Sequence, residues 1–127
     1  MENITPPIPA GRQVIDAYAP GRFRISGTPH SGSVIVFPER SLAWPVRDLS
    51  EVTLDSLAAV TAADPRPEIL LLGAGAIMQM PPQGLRSALR SAGIGFEIMD
   101  TGAACRTYNV LLAEGRRVAA ALIALPS

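Results

Sequence analysis

The first half of the chain carries hydrophobic patterns that predict strands. Apolar and polar positions alternate over residues 13–19 and again over residues 22–26, and the pair Pro20-Gly21 between them is turn chemistry. We therefore expect a β-hairpin in this region. The following residues 27–32 (GTPHSG) are rich in glycine, proline and small polar side chains, and this composition predicts a loop.

Two further strands are predicted before the middle of the chain. Residues 33–37 (SVIVF) form a β-branched run with the length of a buried strand, and Pro38 ends it. A short strand is expected around residues 42–46. Because Pro45 has no N–H to donate to a ladder, this strand is expected at an edge of its sheet.

The second half of the chain alternates between helix and strand patterns. In chain order the predicted segments are a helix over 53–64, a strand over 68–72, a helix from 81 to its cap at Gly93, a strand over 94–99, a helix over 101–114 and a strand over 117–125. Two continuous apolar strands separated by a helix predict a parallel crossover. The last strand is apolar on both faces, as in the interior of a sheet. The whole pattern indicates a mixed α/β sandwich with an antiparallel N-terminal portion.

Composition and charge narrow the class of protein. The chain has 127 residues, 48% of them hydrophobic, and its eleven basic and eleven acidic side chains cancel. This predicts a single α/β domain over residues 13–127, preceded by a flexible Pro-rich tail over residues 1–12. The low hydrophobicity and high net charge of a disordered chain are not found, and zero net charge gives no global attraction to nucleic acid or to an anionic membrane.

Targeting and membrane signals are not found in the sequence either. The longest apolar run, residues 118–125, has eight residues against the roughly 20 that a transmembrane helix needs. Residues 1–12 match neither a secretory signal nor a mitochondrial presequence, and Cys105 is the only cysteine, which excludes a disulfide scaffold. We therefore expect a soluble cytoplasmic protein without membrane insertion.

The first candidate site is a pair of glycines after the predicted strand 68–72. Gly73 and Gly75 stand where a buried strand ends, which is the edge where open α/β sheets bind ligands. Glycines there allow backbone N–H groups to approach an anion or a partner. The dinucleotide-binding fingerprint fails, because Met78 occupies the position of its third small residue. A plain tight turn and a backbone surface that contacts a ligand or partner both stay open.

The second candidate site is the polar start of the predicted helix 101–114. Its polar stripe and the residues beside it are Asp100, Thr101, Cys105, Arg106 and Asn109. Free N–H groups at a helix start, the helix dipole and a guanidinium together suit a carboxylate or a phosphate, and the same field would lower the pKa of Cys105. The structural alternative is that Asp100 or Thr101 is an ordinary N-cap and Cys105 a small buried apolar residue.

Catalytic chemistry has few candidates in this chain. His30 is the only histidine, and nothing in the sequence brings it to Cys105 as a base, so no catalytic residue is assigned. One histidine and one cysteine lack the spacing of a metal site, so neither a metal nor a cofactor is expected. Trp44, beside Pro45, is either edge packing or an exposed anchor for a protein partner.

Four stretches of the chain resemble a widespread family of small domains of unknown function. They are GRFRISG, GSVIVFP, EILLLGAG and GFEIMDTGAACRTYNVLLAEGRRVAAALI, and the likeness covers roughly Val14 to Ala124. The family includes the mitochondrial assembly factor for respiratory complex I and the adipogenesis-associated domain protein of animals. The resemblance implies a three-layer α/β fold: a central mixed β-sheet with helices on it, one strand antiparallel to the others, and an additional N-terminal β-layer.

The same resemblance implies a function in binding. It implies a surface cleft to which the turn at residues 73–75 and the segment 100–109 contribute, and no catalytic activity is established across the family. We therefore expect a non-enzymatic binding or assembly module whose partner is a protein, such as complex I subunits or another assembly factor. The competing hypothesis is a small anionic-ligand site, enzymatic if Cys105 or Asp100 reacts. Lack of a presequence favours a bacterial cytoplasmic protein, and a homodimer is compatible with zero net charge.

Overall fold

The computed structural model describes residues 11–127, which form two β-sheets and three short-to-medium α-helices. The flexible tail predicted over residues 1–12 includes residues 1–10, which lie outside the described residues, and Gly11 and Arg12, which are described. Arg12 belongs to the folded part, because its carbonyl accepts a hydrogen bond from the Ser26 hydroxyl at 3.0 Å.

The N-terminal sheet has three antiparallel strands in the order β1-β2-β3. Its strands are β1 (Ile15–Ala19), β2 (Arg22–Ile25) and β3 (Thr28–Ser31). The predicted hairpin is confirmed, and the loop predicted over residues 27–32 is wrong, because β3 pairs with β2 there. Ser26 and Gly27 both have positive φ, so they form a two-residue turn that reverses the chain at once and lets pairing resume. Pro29 is tolerated because β3 is an edge strand.

The central sheet has five strands in the order β5-β4-β8-β6-β7. Its strands are β4 (Val34–Val36), β5 (Ser41–Ala43), β6 (Ile69–Gly73), β7 (Gly95–Met99) and β8 (Val118–Leu122). Strands β6, β7 and β8 are parallel, and β4 is antiparallel both to β8 and to β5. Only β4 therefore runs antiparallel to the other four strands, which confirms the expected mixed sheet with one antiparallel strand. Strand β5 lies at an edge, as predicted.

The helical segments differ most from the prediction. They are two 3₁₀ turns (Leu49–Glu51 and Asp55–Leu57) and the helices α1 (Ala58–Thr61), α2 (Leu85–Ser91) and α3 (Thr101–Ala113). The continuous helix predicted over 53–64 is wrong. The Trp44 indole N–H donates at 2.8 Å to the Ser56 carbonyl, which a continuous α-helix would offer to Val60. Helix α2 starts later than predicted, because Gly84 before it has a φ of +82° and ends any helical run from Pro81.

The central sheet separates two hydrophobic clusters, which gives the three layers. Residues alternate along β8 and its next residue. Ala119, Ala121 and Ile123 face the side covered by α1 and α2, while Val118, Ala120 and Leu122 face the other. That other side is covered by α3 and by the N-terminal sheet. The small alanines of β8 let both outer layers approach the sheet closely.

None of the helices described over residues 11–127 is both long enough and apolar enough to span a bilayer. The longest, α3, has 13 residues.

Candidate functional site

The two candidate segments lie against each other at the carboxyl end of the parallel strands. The Thr101 N–H donates to the Gly75 carbonyl at 2.8 Å, and the Gly75 N–H donates to Thr101 Oγ1 at 2.9 Å. Thr101 Oγ1 in turn donates to the Ile123 carbonyl at 2.7 Å, and the Thr101 side chain is fully buried. Thr101 therefore connects three places by hydrogen bonds: the bend after β6, the start of α3 and the residue after β8.

The turn at residues 73–75, called the glycine bend from here on, has N–H groups that are hydrogen-bonded within the protein. The Ala74 N–H donates to the Met99 carbonyl at 2.8 Å, and the Gly75 N–H is taken by Thr101. Gly73 is required by close packing, since a Cβ there would lie 3.0 Å from both Cα and Oγ1 of Thr101 and 3.1 Å from Leu122 Cδ2. Gly75 is required by its backbone, with a φ of +103°. Of the two interpretations left open by the sequence, the tight turn describes these groups.

The start of α3 is capped by its own residues. Asp100 is the N-cap, and its Oδ1 accepts from the Ala103 N–H at 2.9 Å. The Ala104 N–H donates to the Asp100 carbonyl at 3.0 Å. The cap satisfies an N–H that an incoming anion would otherwise find free.

The predicted lowering of the pKa of Cys105 is wrong. Cys105 is 2% exposed and packs in the cluster between α3, the central sheet and the N-terminal sheet. Its burial raises the pKa of the thiol to about 12, and this outweighs the opposite influence of the Arg106 charge. A neutral, buried thiol is a weak nucleophile, so Cys105 acts in the structure as a small apolar side chain.

Asn109 and Tyr108 fasten the N-terminal sheet to α3. The Asn109 side chain donates from Nδ2 to the Ile15 carbonyl at 2.9 Å and accepts at Oδ1 from the Ile15 N–H at 3.0 Å. It thus pairs with β1 next to the irregularity between Ile15 and Ala17. The fully buried Tyr108 donates its hydroxyl to the Gln13 carbonyl at 2.9 Å, and burial raises the pKa of this phenol.

Arg106 is the one exposed candidate of this segment, while Asp100 and Asn109 are half-buried. Its Nη1 donates to the Tyr18 hydroxyl at 2.9 Å. Tyr18 lies directly over Gly102, where a Cβ would come within 2.5 Å of the tyrosine oxygen. The role of Gly102 was missed from the sequence, and only its position within a helix, where glycine is unfavourable, could have signalled a packing reason.

Trp44 lies in the core, away from the other candidates. It is 4% exposed and packs in the cluster on the α1 and α2 side. The alternative of an exposed anchor is therefore wrong. The tryptophan packs inward just after edge strand β5, and its indole N–H is satisfied by Ser56.

An exposed apolar loop, which was not predicted from the sequence, directly follows the glycine bend. In residues 76–80, called the apolar loop from here on, the side chains of Ile77, Met78 and Met80 are 68%, 58% and 82% exposed. The Gln79 side chain anchors the loop by donating to the Ala74 carbonyl at 3.2 Å. The sequence contains a signal for this loop. Two methionines and an isoleucine lie between Gly75 and Pro81, where neither a helix nor a strand is predicted that could bury them.

Metal-ligating side chains do not cluster in the described part of the chain. Across residues 11–127 no three His, Cys, Asp or Glu side chains come together in a way that could hold a metal ion. His30 lies half-buried on the edge strand β3, and Cys105 lies in the core.

Comparisons with known proteins confirm the resemblance seen in the sequence. A family model described as a protein of unknown function (DUF498/DUF598) matches residues 15–123. An uncharacterised protein of Rhodobacter capsulatus is 42% identical over 117 residues, which are 92% of this chain and 89% of that protein. The NADH dehydrogenase (ubiquinone) 1 alpha subcomplex assembly factor 3 of Danio rerio is 37% identical over 114 residues, 90% of this chain but 66% of the longer fish protein.

The fold is shared with solved structures. An outer membrane protein from Bartonella henselae has a crystal structure that matches this one with a TM-score of 0.81 at 39% identity, over 91% of this chain and 97% of that one. A family match over most of the chain, relatives above 30% identity and a common fold agree with one another. The chain therefore belongs to the DUF498/DUF598 family.

Proposed function

We propose that this protein is a non-enzymatic binding module that assists the assembly of a respiratory complex of the complex I type, and that the apolar loop is part of its contact surface. The similarity to assembly factor 3 over 90% of this chain supports the assembly role. We place this role in the bacterial cytoplasm, with complex I subunits or another assembly factor as the partner.

The exposure of the apolar loop is the observation that carries the proposal. Ile77 and Met80 are large apolar side chains that stand in solvent at the carboxyl edge of the parallel strands. Leaving such side chains in water forgoes roughly 1.5–3 kcal/mol of burial for each of them, and clustered exposure of this kind marks interaction surfaces. Methionine adapts to irregular partner surfaces because its side chain is unbranched and polarizable.

The polar candidates support a binding role over a reaction. Asp100 caps α3, Thr101 and Asn109 bond to the backbone, and Cys105 is buried as a neutral thiol. These side chains already have structural partners. The competing small-anion site would need the same groups to be free.

Complementation of a deletion strain tests the proposed function. The gene is removed from the source organism and replaced by wild type, by the double variant Ile77→Ser/Met80→Ser, or by the control Val110→Ser. Val110 is 51% exposed on α3, so the control removes an exposed apolar side chain outside the apolar loop.

We expect the deletion to lower membrane NADH:ubiquinone oxidoreductase activity and to accumulate assembly intermediates on native gels. Wild type and Val110→Ser should restore the enzyme, and the double variant should not. Normal complex I in the deletion strain would refute the assembly role. Full rescue by the double variant would refute the contribution of the apolar loop.

A further inference from the structure

A solvent-open groove of about 340 Å³ lies between the segment that follows the first 3₁₀ turn and the start of α2. Its lining residues are Val52, Thr53, Leu54, Pro82, Gln83, Gly84, Leu85 and Ala88. Pro82 follows Met80 by two positions, so the groove begins where the apolar loop ends. The two features are therefore consecutive along the chain.

The groove is lined mainly by apolar atoms that the fold leaves partly uncovered. Leu54, which falls in the continuous helix predicted over 53–64, is 41% exposed. The 3₁₀ turn that replaces this helix directs Leu57 inward instead, where it is fully buried. Ala88 lies on the opposite wall with a small side chain that leaves space in front of it.

The chain segment that forms one wall of the groove carries acidic side chains next to the lining residues. Glu51 precedes Val52, Asp55 follows Leu54, and both residues are exposed. Glu51 Oε1 accepts a hydrogen bond from the Arg47 N–H at 2.7 Å, which leaves its negative charge without a cationic partner. Residues 47–64 contain four carboxylates and a single arginine, Arg47. Within residues 11–127 the ion pairs are Arg12 with Glu39 and Arg116 with Glu68, so none of these four carboxylates has a cationic partner within salt-bridge distance in that part of the chain.

The opposite wall supplies no compensating charge. Arg86 follows Leu85 on α2, but its Nη1 donates to the Phe96 carbonyl at 2.7 Å. Its guanidinium lies 5.0 Å from the centre of the Phe96 ring, on the β7 side of the helix. Arg90 lies with Arg86 along that same side, around a separate depression. The groove is therefore lined mainly by apolar residues. Glu51 and Asp55, which flank its lining residues Val52 and Leu54 in the chain, are called its acidic rim.

We propose that this groove, together with the apolar loop, binds an amphipathic segment of a partner protein that carries leucine-like side chains on one face and lysine or arginine beside them. This inference rests on the proposed function and names the chemistry of its partner. A helix laid in a groove places anchors at i and i+4, and basic residues next to these anchors would face Glu51 and Asp55. An anionic lipid surface is disfavoured, because the same carboxylates would repel it.

A pair of model peptides tests the groove with the full-length protein. One is an amphipathic helix of leucine and lysine, and the other carries glutamate in place of every lysine, with the same apolar face. Binding of each fluorescently labelled peptide is measured by anisotropy. We expect the lysine peptide to bind and the glutamate peptide to bind at least about tenfold more weakly.

Two variants with matched controls locate the binding. Ala88→Tyr fills the groove, and Ser87→Tyr places the same bulk on the exposed neighbour along the helix. Glu51→Lys/Asp55→Lys reverses the rim, and Glu97→Lys/Glu114→Lys makes the same change in net charge at two exposed carboxylates outside the groove. We expect about a tenfold loss of lysine-peptide affinity for each groove variant and little change for each control. The reversed rim should also gain affinity for the glutamate peptide.

Several results would overturn the inference. Equal losses in the rim variant and its charge-matched control would mean that the peptide responds to net charge alone. Binding of wild type to vesicles of phosphatidylglycerol that Ala88→Tyr abolishes would assign the groove to a membrane. A dimer measured by light scattering that Ala88→Tyr dissociates would assign it to a second copy of the chain.

The charge-reversal pair keeps the test valid if Ala88→Tyr fails to fold, because those substitutions are at exposed positions. The outcome is also separable from that of the proposed function. Selective peptide binding with normal complex I in the deletion strain would leave the groove assigned and the assembly role refuted. Failure of the apolar-loop variant to complement, together with equal binding of the two peptides, would support the assembly role and refute the groove assignment.

Discussion

The start of α3 and the apolar loop are neighbours on the same edge of the sheet, and they use their side chains in opposite ways. On α3, the side chains of Thr101 at its first position and of Asn109 two turns further on each accept one hydrogen bond and donate one within the protein. In the loop the apolar groups are turned outward, and Ile77 and Met80 are mostly exposed. The difference teaches that polar residues in this fold mark fastening points, whereas exposed apolar residues mark the surface that has no internal partner.

The largest effect that the comparison predicts comes from Tyr108, a fastening residue. Tyr108→Ala removes a fully buried aromatic ring and its hydrogen bond, so we expect the free energy of unfolding to fall by about 3–5 kcal/mol. Tyr108→Phe keeps the ring and should cost only about 1 kcal/mol. Urea unfolding followed by circular dichroism measures both values. Similar losses for the two variants would show that the hydroxyl, not the ring, holds the N-terminal sheet.

The next largest effect on stability is predicted for the hydrogen bonds of Thr101. Thr101→Val keeps the shape but leaves the buried Gly75 N–H and Ile123 carbonyl without this partner, which should cost about 2–3 kcal/mol. The control Thr107→Val lies on the same helix, is half-buried and should change stability by less than about 0.5 kcal/mol. Equal unfolding midpoints for Thr101→Val and wild type would remove Thr101 from the fastening points.

A pH-dependent effect of intermediate size follows from Cys105. Burial raises the pKa of its thiol from 9.0 to about 12, so the folded state keeps the proton that the unfolded state releases. Stability is therefore complete below the unfolded pKa and is lost as pH rises from that value toward the folded one. We expect about 1–2 kcal/mol less stability at about pH 10.5 than at about pH 8.

Urea unfolding at the two pH values checks this expectation. Cys105→Ala should show a shallower decline, with the remainder due to Tyr108, whose pKa is raised by burial as well. Parallel curves for wild type and Cys105→Ala would mean that the thiol is accessible and titrates normally. Rapid alkylation of Cys105 in the folded protein would say the same.

The smallest effect on stability is predicted for the apolar loop, whose exposed side chains contrast with the buried polar side chains of α3. Ile77→Ser/Met80→Ser should change the free energy of unfolding by less than about 0.5 kcal/mol, because neither side chain is buried. The same variant is expected to lose function in the complementation experiment. A large loss of stability would instead show that the loop packs against the protein in solution.

Local signals were enough to predict part of the fold. The strand expected over 94–99 is found at Gly95–Met99, and the helix expected over 101–114 is Thr101–Ala113. Both follow from short-range features: a buried apolar alternation in the first case, and an N-cap with a closing glycine in the second. The family resemblance supplied the layers and the single antiparallel strand, which no local pattern specifies.

The failures have both local and distant causes. A turn at Ser26 brings β3 onto β2, and the indole of Trp44 takes a carbonyl from the predicted helix 53–64. The parallel strands could predict that the glycine bend lies near the start of α3. They could not predict that the N–H groups of the bend donate to groups within the protein. This bonding depends on Thr101 reaching both Gly75 and Ile123 at once.

The hydrogen bond from Arg86 to Phe96 has a consequence for self-association. Strand β7 is the outermost strand on its side of the sheet, and a row of unpaired carbonyls at such a margin invites a second chain to add on. The guanidinium occupies one of those acceptors and stacks on the adjacent ring. Any fibre-like growth from this margin must first displace a charge-assisted bond, so a single arginine helps to keep β7 the terminal strand.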